Sequence, residues 1–335
     1  MTQPSLVQRR RRFVVLTAGA VVGCSTSALL GLSLLPGVLA AASGSLAGPV
    51  RIGFQKSGTV LLSLKAKGIL EKQLQSKGAT IQWAEFPAGL PMVEALNAGA
   101  IDFAYVGEAP PVFAQAANDS VTRYVAYDPY GLDSEGIVVQ KDSKIKKLSD
   151  LRGKKIAVQK GSNAHYLLVK ALASGKLRPG DVEIAFLKPA DARAAFERKD
   201  VDAWSIWDPY LAAAETLPNA RLLTTAKGLA PNRGYYLASA SFIKNRLDAL
   251  KALLGTIKKE AAVVESSPSG TAAFLAPSLG LDKKVLEVAE RRRKHDALPL
   301  TNQVIEKQQD IADTFSELKL IPKPIKVKAA VWIWK

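Results

Sequence analysis

Cysteine is almost absent from this sequence: of 335 residues, only Cys24 is one. No disulfide can close within the chain, and none is needed where a chain of this length buries a proper core. Beyond Cys24 there is no thiol to serve as a nucleophile or as a metal ligand. Histidine is nearly as scarce. His165 and His295 are the two, far apart in sequence, so no metal motif or triad is visible. A Gly-x-Ser-x-Gly elbow, a Walker loop and a His-Glu-x-x-His helix are also missing. The chain is expected to hold no metal or cofactor and to be no enzyme.

Charge is absent from one long stretch. Arg9 to Arg12 precede Phe13, and no charged residue returns until Arg51. A basic start, an apolar run and small residues around Val38 to Ser43 read as an export signal over residues 1–42. Arg10-Arg11-Arg12-Phe13-Val14 also resembles a twin-arginine signal. The uncharged run is long enough to span a bilayer as an N-terminal anchor, although Ser25, Thr26, Ser27, Pro36 and several glycines dilute it. Val21-Val22-Gly23-Cys24 matches a permissive lipoprotein box, but the apolar run continues past Cys24, which argues against lipidation.

Acidic residues are the minority, and the chain carries a net charge of +16. The four arginines of the leader account for part of it, leaving 42 basic against 30 acidic side chains downstream, a net +12. The excess is dispersed into short clusters such as Lys141 to Lys147 and Arg291-Arg-Arg-Lys294, and no nucleic-acid motif accompanies it. These clusters read as solvated helix faces with some long-range attraction for anions. Nucleic acid is not expected as a partner.

From Val50 onward, strands alternate with helices. Val50–Phe54, Thr80–Phe86 and Phe103–Val106 read as strands, each followed by a turn and a helical pattern: Leu61 to Leu70, Met92 to Ala98, Pro110 to Ala117. That order argues an α/β domain whose ligand sites lie beyond the carboxyl ends of parallel strands. A second set begins after Gly131, with strands at Gly136–Gln140, Lys155–Gln159, Val182–Phe186 and Ala203–Ile206. Gly136–Gln140 reads as a strand that crosses over, and Tyr235–Ser239 as a return strand to the first set. Amphipathic helices follow over Phe242–Ala262, Lys283–Lys294 and Thr301–Leu318. The apolar end, Ile325 to Trp334, is expected to pack back on the first set.

The most informative run is residues 189–210. Pro189 and Asp191 open a helix, a short strand follows, and Asp208-Pro209 opens a second helix. Trp204, Trp207 and Tyr210 crowd the strand exit, so the run reads as a pocket wall edged by helix N-termini, which suit an anion. The sequence Pro-Ala-Asp-Ala-Arg-Ala-Ala-Phe, followed by Val-Asp-Ala-Trp-Ser-Ile-Trp-Asp-Pro-Tyr, resembles the aliphatic sulfonate-binding proteins of bacterial ABC importers. These belong to the wider nitrate/taurine-type solute-binding family. Arg51 to Gly58, Glu85 to Gly89, Glu94 to Asp102, Gly107 to Ala117 and Gln159 to His165 carry the same resemblance in the same order, so it covers the chain from about residue 50 onward.

The resemblance implies a two-lobe periplasmic binding protein of type II, with parallel-rich mixed sheets flanked by helices. Lobe 1 would comprise residues 43–130 and 233–335, lobe 2 residues 131–232, with a two-strand hinge near 128–136 and 228–236. The ligand, an alkanesulfonate, would be buried between the lobes by hinge closure and passed to the membrane permease of an ABC importer by a monomeric periplasmic receptor. Taurine, nitrate or a heterocyclic precursor remain alternative ligands. Sulfinate-cleaving and precursor-forming enzymes also use this fold, but those that cleave carbon–sulfur bonds use a cysteine that this chain lacks past Cys24.

Gln55 ends a strand where its amide can donate to a sulfonate oxygen, or it is an exposed turn residue. Ser57 and Gly58 suit an oxyanion or plain helix capping, and Gly89 a close backbone approach or a turn. Gly107 and Glu108 end the third strand; the Glu108 carboxylate fits helix capping or a cation from the other lobe better than an anion. Ser162 and Asn163 form the second lobe's anion end, with His165 either on the ligand or capping. One of Trp204 and Trp207 is expected to cover an alkyl chain and the other to be core; Trp204 is taken as the cleft residue. Asp208 is a helix cap or a contact to an amino or hydroxyl group, and Tyr235 or Tyr236 closes the pocket. Arg193, inside a helix, reads as a surface ion-pair residue.

Overall fold

The structure, a computed structural model, describes residues 48–75, 78–129 and 131–334. The export segment expected over residues 1–42, Cys24 included, lies outside the described residues. Among the described residues no helix is long and apolar enough to cross a membrane.

The described chain begins β1 (Gly48–Phe54), α1 (Thr59–Lys67), α2 (Ile69–Gln75), β2 (Ala79–Glu85), α3 (Gly89–Asn97), β3 (Phe103–Gly107), α4 (Ala109–Ala116) and β4 (Thr122–Tyr127). It continues β5 (Glu135–Gln140), β6 (Lys155–Val158), α5 (Asn163–Ser174), β7 (Glu183–Phe186), α6 (Pro189–Glu197), β8 (Ala203–Trp207), α7 (Tyr210–Glu215) and β9 (Ala220–Thr225). After β10 (Gly234–Ser239) come five helices: α8 (Ala240–Asn245), α9 (Leu247–Ser266), α10 (Pro268–Leu279), α11 (Lys283–Arg291) and α12 (Asn302–Glu317).

The strands form two sheets of one topology, ordered β2-β1-β3-β10-β4 and β7-β6-β8-β5-β9. In each, the first three strands run parallel, while β10 and β5 are antiparallel to both their neighbours. Each sheet thus takes its antiparallel strand from beyond a chain crossing, at residues 128–134 outward and 226–233 on return. This is the two-lobe architecture of type II periplasmic binding proteins.

Both faces of the central strands are covered, which is why β3 reads as an unbroken apolar run. Phe103 and Tyr105 face a core with Val50, Ile52, Leu61, Leu64 and the α9 residues Leu250, Leu253 and Ile257. Ala104 and Val106 face Met92, Val93 and Leu96 of α3 and Val112 of α4. In the second lobe, Ile137, Val139, Ile156 and Val158 pack under α5, and Val138, Trp204 and Ile206 pack under α6 and α7.

Three features were not read from the sequence. Strands β4 and β9 are sheet edges. β9 is half-exposed along most of its length, so no alternation marks it. β4 is covered by the C-terminal segment, where Val331 pairs with Tyr124 and Trp332 N–H donates to the Tyr124 carbonyl at 2.9 Å. The last apolar residues thus do pack back on the first lobe. α10 is hidden by Pro268, Gly270 and Pro277, yet Ser267 caps it by accepting the Gly270 N–H at 3.3 Å. The long helix expected over 242–262 is broken at Arg246, which leaves helical geometry and donates to the Pro49 carbonyl at 3.2 Å.

Trp204 is 1 % exposed and lies 6.2 Å from the Phe196 ring. Trp204→Ala is expected to cost about 3–5 kcal/mol of stability, measured by urea unfolding. A loss under about 1 kcal/mol would show that the site collapses around the smaller side chain.

Candidate functional site

Parallel strands followed by helices send their carboxyl ends and the helix N-termini to one edge of each sheet. Those edges face each other across a cleft that encloses about 610 Å³, its open mouth included. From the first lobe come Gln55 and Ser57 after β1, Gly89 at the head of α3, and Tyr105, Gly107 and Pro110 around the end of β3. From the second come Ser134, Ser162, Asn163, Trp207 and Asp208. The crossings contribute Asp128, Pro129, Gly131, Asn232 and Arg233, the start of β10 contributes Gly234, and the segment after α11 contributes Arg293 and Lys294.

The lobes touch. Asn163 Oδ1 accepts the Ala109 N–H at 3.2 Å and its Nδ2 donates to Asn232 Oδ1 at 2.9 Å, tying α5 to α4 and to the return crossing. Gly107 makes that approach possible: a Cβ there would fall 2.1 Å from Asn163 Oδ1. Within the first lobe, Gly234 leaves room for the Tyr105 hydroxyl, which would lie 2.2 Å from a Cβ there. Ser162 caps α5 by accepting the His165 N–H at 3.2 Å, so the start of a 12-residue helix points into the cleft.

Seven of the twelve expected site residues line this cleft: Gln55, Ser57, Gly89, Gly107, Ser162, Asn163 and Asp208. Five do not. Trp204 is core, because alternate residues of a strand face opposite ways. It points under α6, while Trp207, three residues on at the carboxyl end of β8, reaches the cleft and meets Tyr210 edge-on at 6.2 Å. Tyr235 stacks edge-on against Tyr124 inside the first lobe, leaving Gly234 at cleft level. Gly58 begins α1 behind Ser57, against the Tyr105 ring.

Glu108 is fully buried and neither caps α4 nor lines the cleft. Its carboxylate accepts the backbone N–H groups of Asn232 at 3.1 Å and Arg233 at 2.9 Å, fastening the return crossing to the first lobe. Burial pushes its pKa up to about 7, against the pull of those two bonds. His165 is packed between Phe186 and Phe315, and its Nδ1 accepts the Gly161 N–H at 3.3 Å. Burial, aided by Lys160, lowers it to about 4, so it is a neutral structural residue near pH 7. Arg193 bonds Glu197 at 2.7 Å on the surface, as its helical position implied.

The residue that sequence reasoning most clearly misplaced is Arg293. It stands in a basic cluster read as solvated, yet it is half-buried, donating to the Ser57 carbonyl and to the Tyr105 hydroxyl at 2.8 Å. Tyr105 in turn bonds Asp128, whose carboxylate accepts the Asp296 N–H at 2.9 Å. Burial works against the Arg293 charge, but Tyr105, Glu290, Asp128 and Asp208 outweigh it, and the guanidinium is held above its ordinary value. Asp128, Asn232 and Arg233 were also missed. Their signal was available, since segments that cross between lobes border the cleft by construction.

Asp208 Oδ1 accepts the Ala212 N–H at 2.8 Å, while its other oxygen is buried without a hydrogen-bond partner. Burial pushes this carboxyl up to about 7, with Arg292 pulling it back. The cleft therefore has a fixed cation at one wall and a carboxyl that readily gives up its charge at the other. Gln55 and Ser57 place neutral polar groups in the same cleft, beside the start of α5, while the Ser162 hydroxyl is already committed to the Gln159 carbonyl at 2.7 Å.

With that geometry in place, comparison with known proteins is informative. The profile of the NMT1-like family matches residues 49–272. The chain belongs to the NMT1-like family. A putative aliphatic sulfonates-binding protein of Escherichia coli (strain K12) is 37% identical over 284 residues, 84% of this NMT1-like chain and 88% of the relative. The alkanesulfonate-binding protein SsuA of Xanthomonas axonopodis pv. citri, solved bound to MOPS, superposes with a TM-score of 0.80 at 39% identity, covering 85% of this chain and 98% of that one. The desulfurization enzyme DSZB shares the fold alone, at 15% identity and a TM-score of 0.63 over 85% of this chain and 96% of its own.

The pH behaviour of Asp208 has a definite sign. Its folded value of about 7 exceeds the ordinary carboxylate value, so its contribution to stability is full below about pH 4 and is lost as pH rises through 7. Asp208→Asn should remove that loss, and the melting midpoint of the variant relative to wild type should be higher at about pH 8 than at about pH 5. Equal differences at both pH values would mean that Asp208 titrates normally.

Proposed function

We propose that this protein is an extracytoplasmic receptor that captures aliphatic sulfonates between its lobes and delivers them to the membrane permease of an ABC importer. The observation that carries the reading is Arg293, a held cation at the cleft wall beside Ser57, Gln55 and the start of α5. A sulfonate stays ionised at any accessible pH and offers three acceptor oxygens, which one guanidinium and several neutral donors satisfy. Trp207 supplies apolar cover for the alkyl chain. The identity to sulfonate-binding relatives over most of the chain supports the same ligand class.

In this reading residues 43–130 and 233–335 form lobe 1 and residues 131–232 lobe 2, moving about the crossings at 128–134 and 226–233. Residues 1–42 direct export to the periplasm by the twin-arginine route, and the receptor acts there as a monomer without cofactor. The absence of cysteine after Cys24 sets it apart from carbon–sulfur-cleaving enzymes of this fold that use a thiol nucleophile.

Ligand binding to the native state raises its melting midpoint, so a thermal-shift panel on the chain from residue 43 is the direct test. Short alkanesulfonates are expected to stabilise it without sulfite release, more than sulfate or nitrate does. Stabilisation by nitrate alone, or release of sulfite, would replace this reading.

Residue roles follow by calorimetry. Arg293→Met should weaken every sulfonate by about 1.5–3 kcal/mol, the worth of a hydrogen bond to a charged group. Trp207→Ala should leave methanesulfonate nearly unchanged and weaken longer chains progressively, by roughly 0.8 kcal/mol per methylene covered. A uniform loss across chain lengths would make Trp207 structural, and unchanged affinity in the arginine variant would place the sulfonate elsewhere.

A further inference from the structure

α11 ends at consecutive arginines whose side chains diverge. Arg293 turns to the first lobe, as described. Arg292 turns to the second: its Nη2 lies 2.6 Å from Glu215 Oε2, at the end of α7, and its Nη1 lies 3.7 Å from Asp208 Oδ1, just before that helix begins. α11 is packed on α10, and α10 on α1 of the first lobe, whereas α7 packs on β5 and β8 of the second. The Arg292 pairs therefore join the two lobes. Beneath them Ala212 and Ala213 of α7 meet Val285 and Ala289 of α11, small side chains that let the helices approach.

The group is set where it counts electrostatically. Side-chain exposures of 22% for Arg292, 25% for Glu215 and 1% for Asp208 place it out of reach of full solvent screening. Arg291, by contrast, is spent on an exposed pair with Glu287 within its own helix. Without Arg292, Glu215 would lose the partner that lies 2.6 Å away, and Asp208 would keep only the attraction of Arg293.

We propose that Arg292 is a positioning residue for ligand capture: it holds the β8 exit, with Trp207 and Asp208, against α11, and so sets how slowly a ligand on Arg293 leaves. The proposal rests on the reading of the cleft as an anion receptor. A contact present only when the lobes are together favours the closed, ligand-holding form through its differential free energy, and it acts on release rather than encounter.

The test uses the chain from residue 43, with 1-propanesulfonate as the probe, in wild type, Arg292→Met, Glu215→Gln and the double variant. Arg292→Met should raise the dissociation constant about tenfold, nearly all of it as faster dissociation with association within about twofold. Glu215→Gln should cost less, and the double variant should be no weaker than Arg292→Met, since both remove one interaction. A merely structural role would instead lower the melting midpoint of the empty protein and leave dissociation unchanged. Unaltered dissociation in Arg292→Met, or losses that add fully in the double variant, overturns the proposal. Where wild type fails to bind 1-propanesulfonate, the ligand reading is what fails. The tie between lobes is then decided by scattering of the empty proteins: a larger radius of gyration for Arg292→Met supports it, and identical radii overturn it.

Discussion

Holding the charge of Arg293 at the junction of the lobes is the constraint around which the rest is arranged. A cation withdrawn from water is costly unless it is paired and hydrogen-bonded. Here the compensation is spread over several elements. Tyr105 from β3 accepts from the guanidinium and bonds Asp128 on the outgoing crossing. Glu290 of α11 stays ionised: burial pushes it up, but His295 at 3.0 Å, Arg293 and the Thr59 hydroxyl outweigh burial. Thr59 opens α1, at 2.8 Å from Glu290. One positive charge thereby fixes a strand, a helix start, a crossing and the end of α11 against one another.

The sheets supply the frame for that charge. Because each lobe has three parallel strands with helices following them, the helix starts gather at the cleft edge of each sheet. Exchange of β5 and β10 between the halves of the chain places the crossings at the same edge. Glu108, pinned by the Asn232 and Arg233 N–H groups, fastens the return crossing. The cleft is thus bordered by the very segments about which the lobes would move, and contact across it depends on Gly107 offering no side chain to Asn163.

Across the cleft the electrostatics differ by wall. Arg293 is held in its charged form, while burial biases Asp208 toward its neutral one. That asymmetry favours an anion near Arg293 and tolerates a neutral, apolar group near Trp207 and Asp208. Of the neighbouring arginines, Arg293 lines the cleft, while Arg292 lies 3.7 Å from Asp208 Oδ1.

The sequence by itself determined the alternation of strands and helices, the strand that crosses over and the one that returns, and the residues at strand ends such as Gln55, Ser57, Ser162, Asn163 and Asp208. The alternation and the strand-end residues are local signals, apolar runs, capping residues and turn residues that act within a few positions, whereas the place of the crossings came from the family resemblance. What only the tertiary structure decided lies at longer range. Whether Trp204 or Trp207 meets the cleft depends on where β8 ends relative to its neighbours, since a shift of one residue reverses every side chain. Whether Arg293 is solvated or turned inward depends on Ser57 and Tyr105, 236 and 188 residues earlier in the chain. The outer edge of strand β4 finds partners because Leu298, Val331 and Trp332 return to it. Composition and periodicity record what each segment prefers, but a charge or an edge acquires its partner only when the folded chain brings distant segments together.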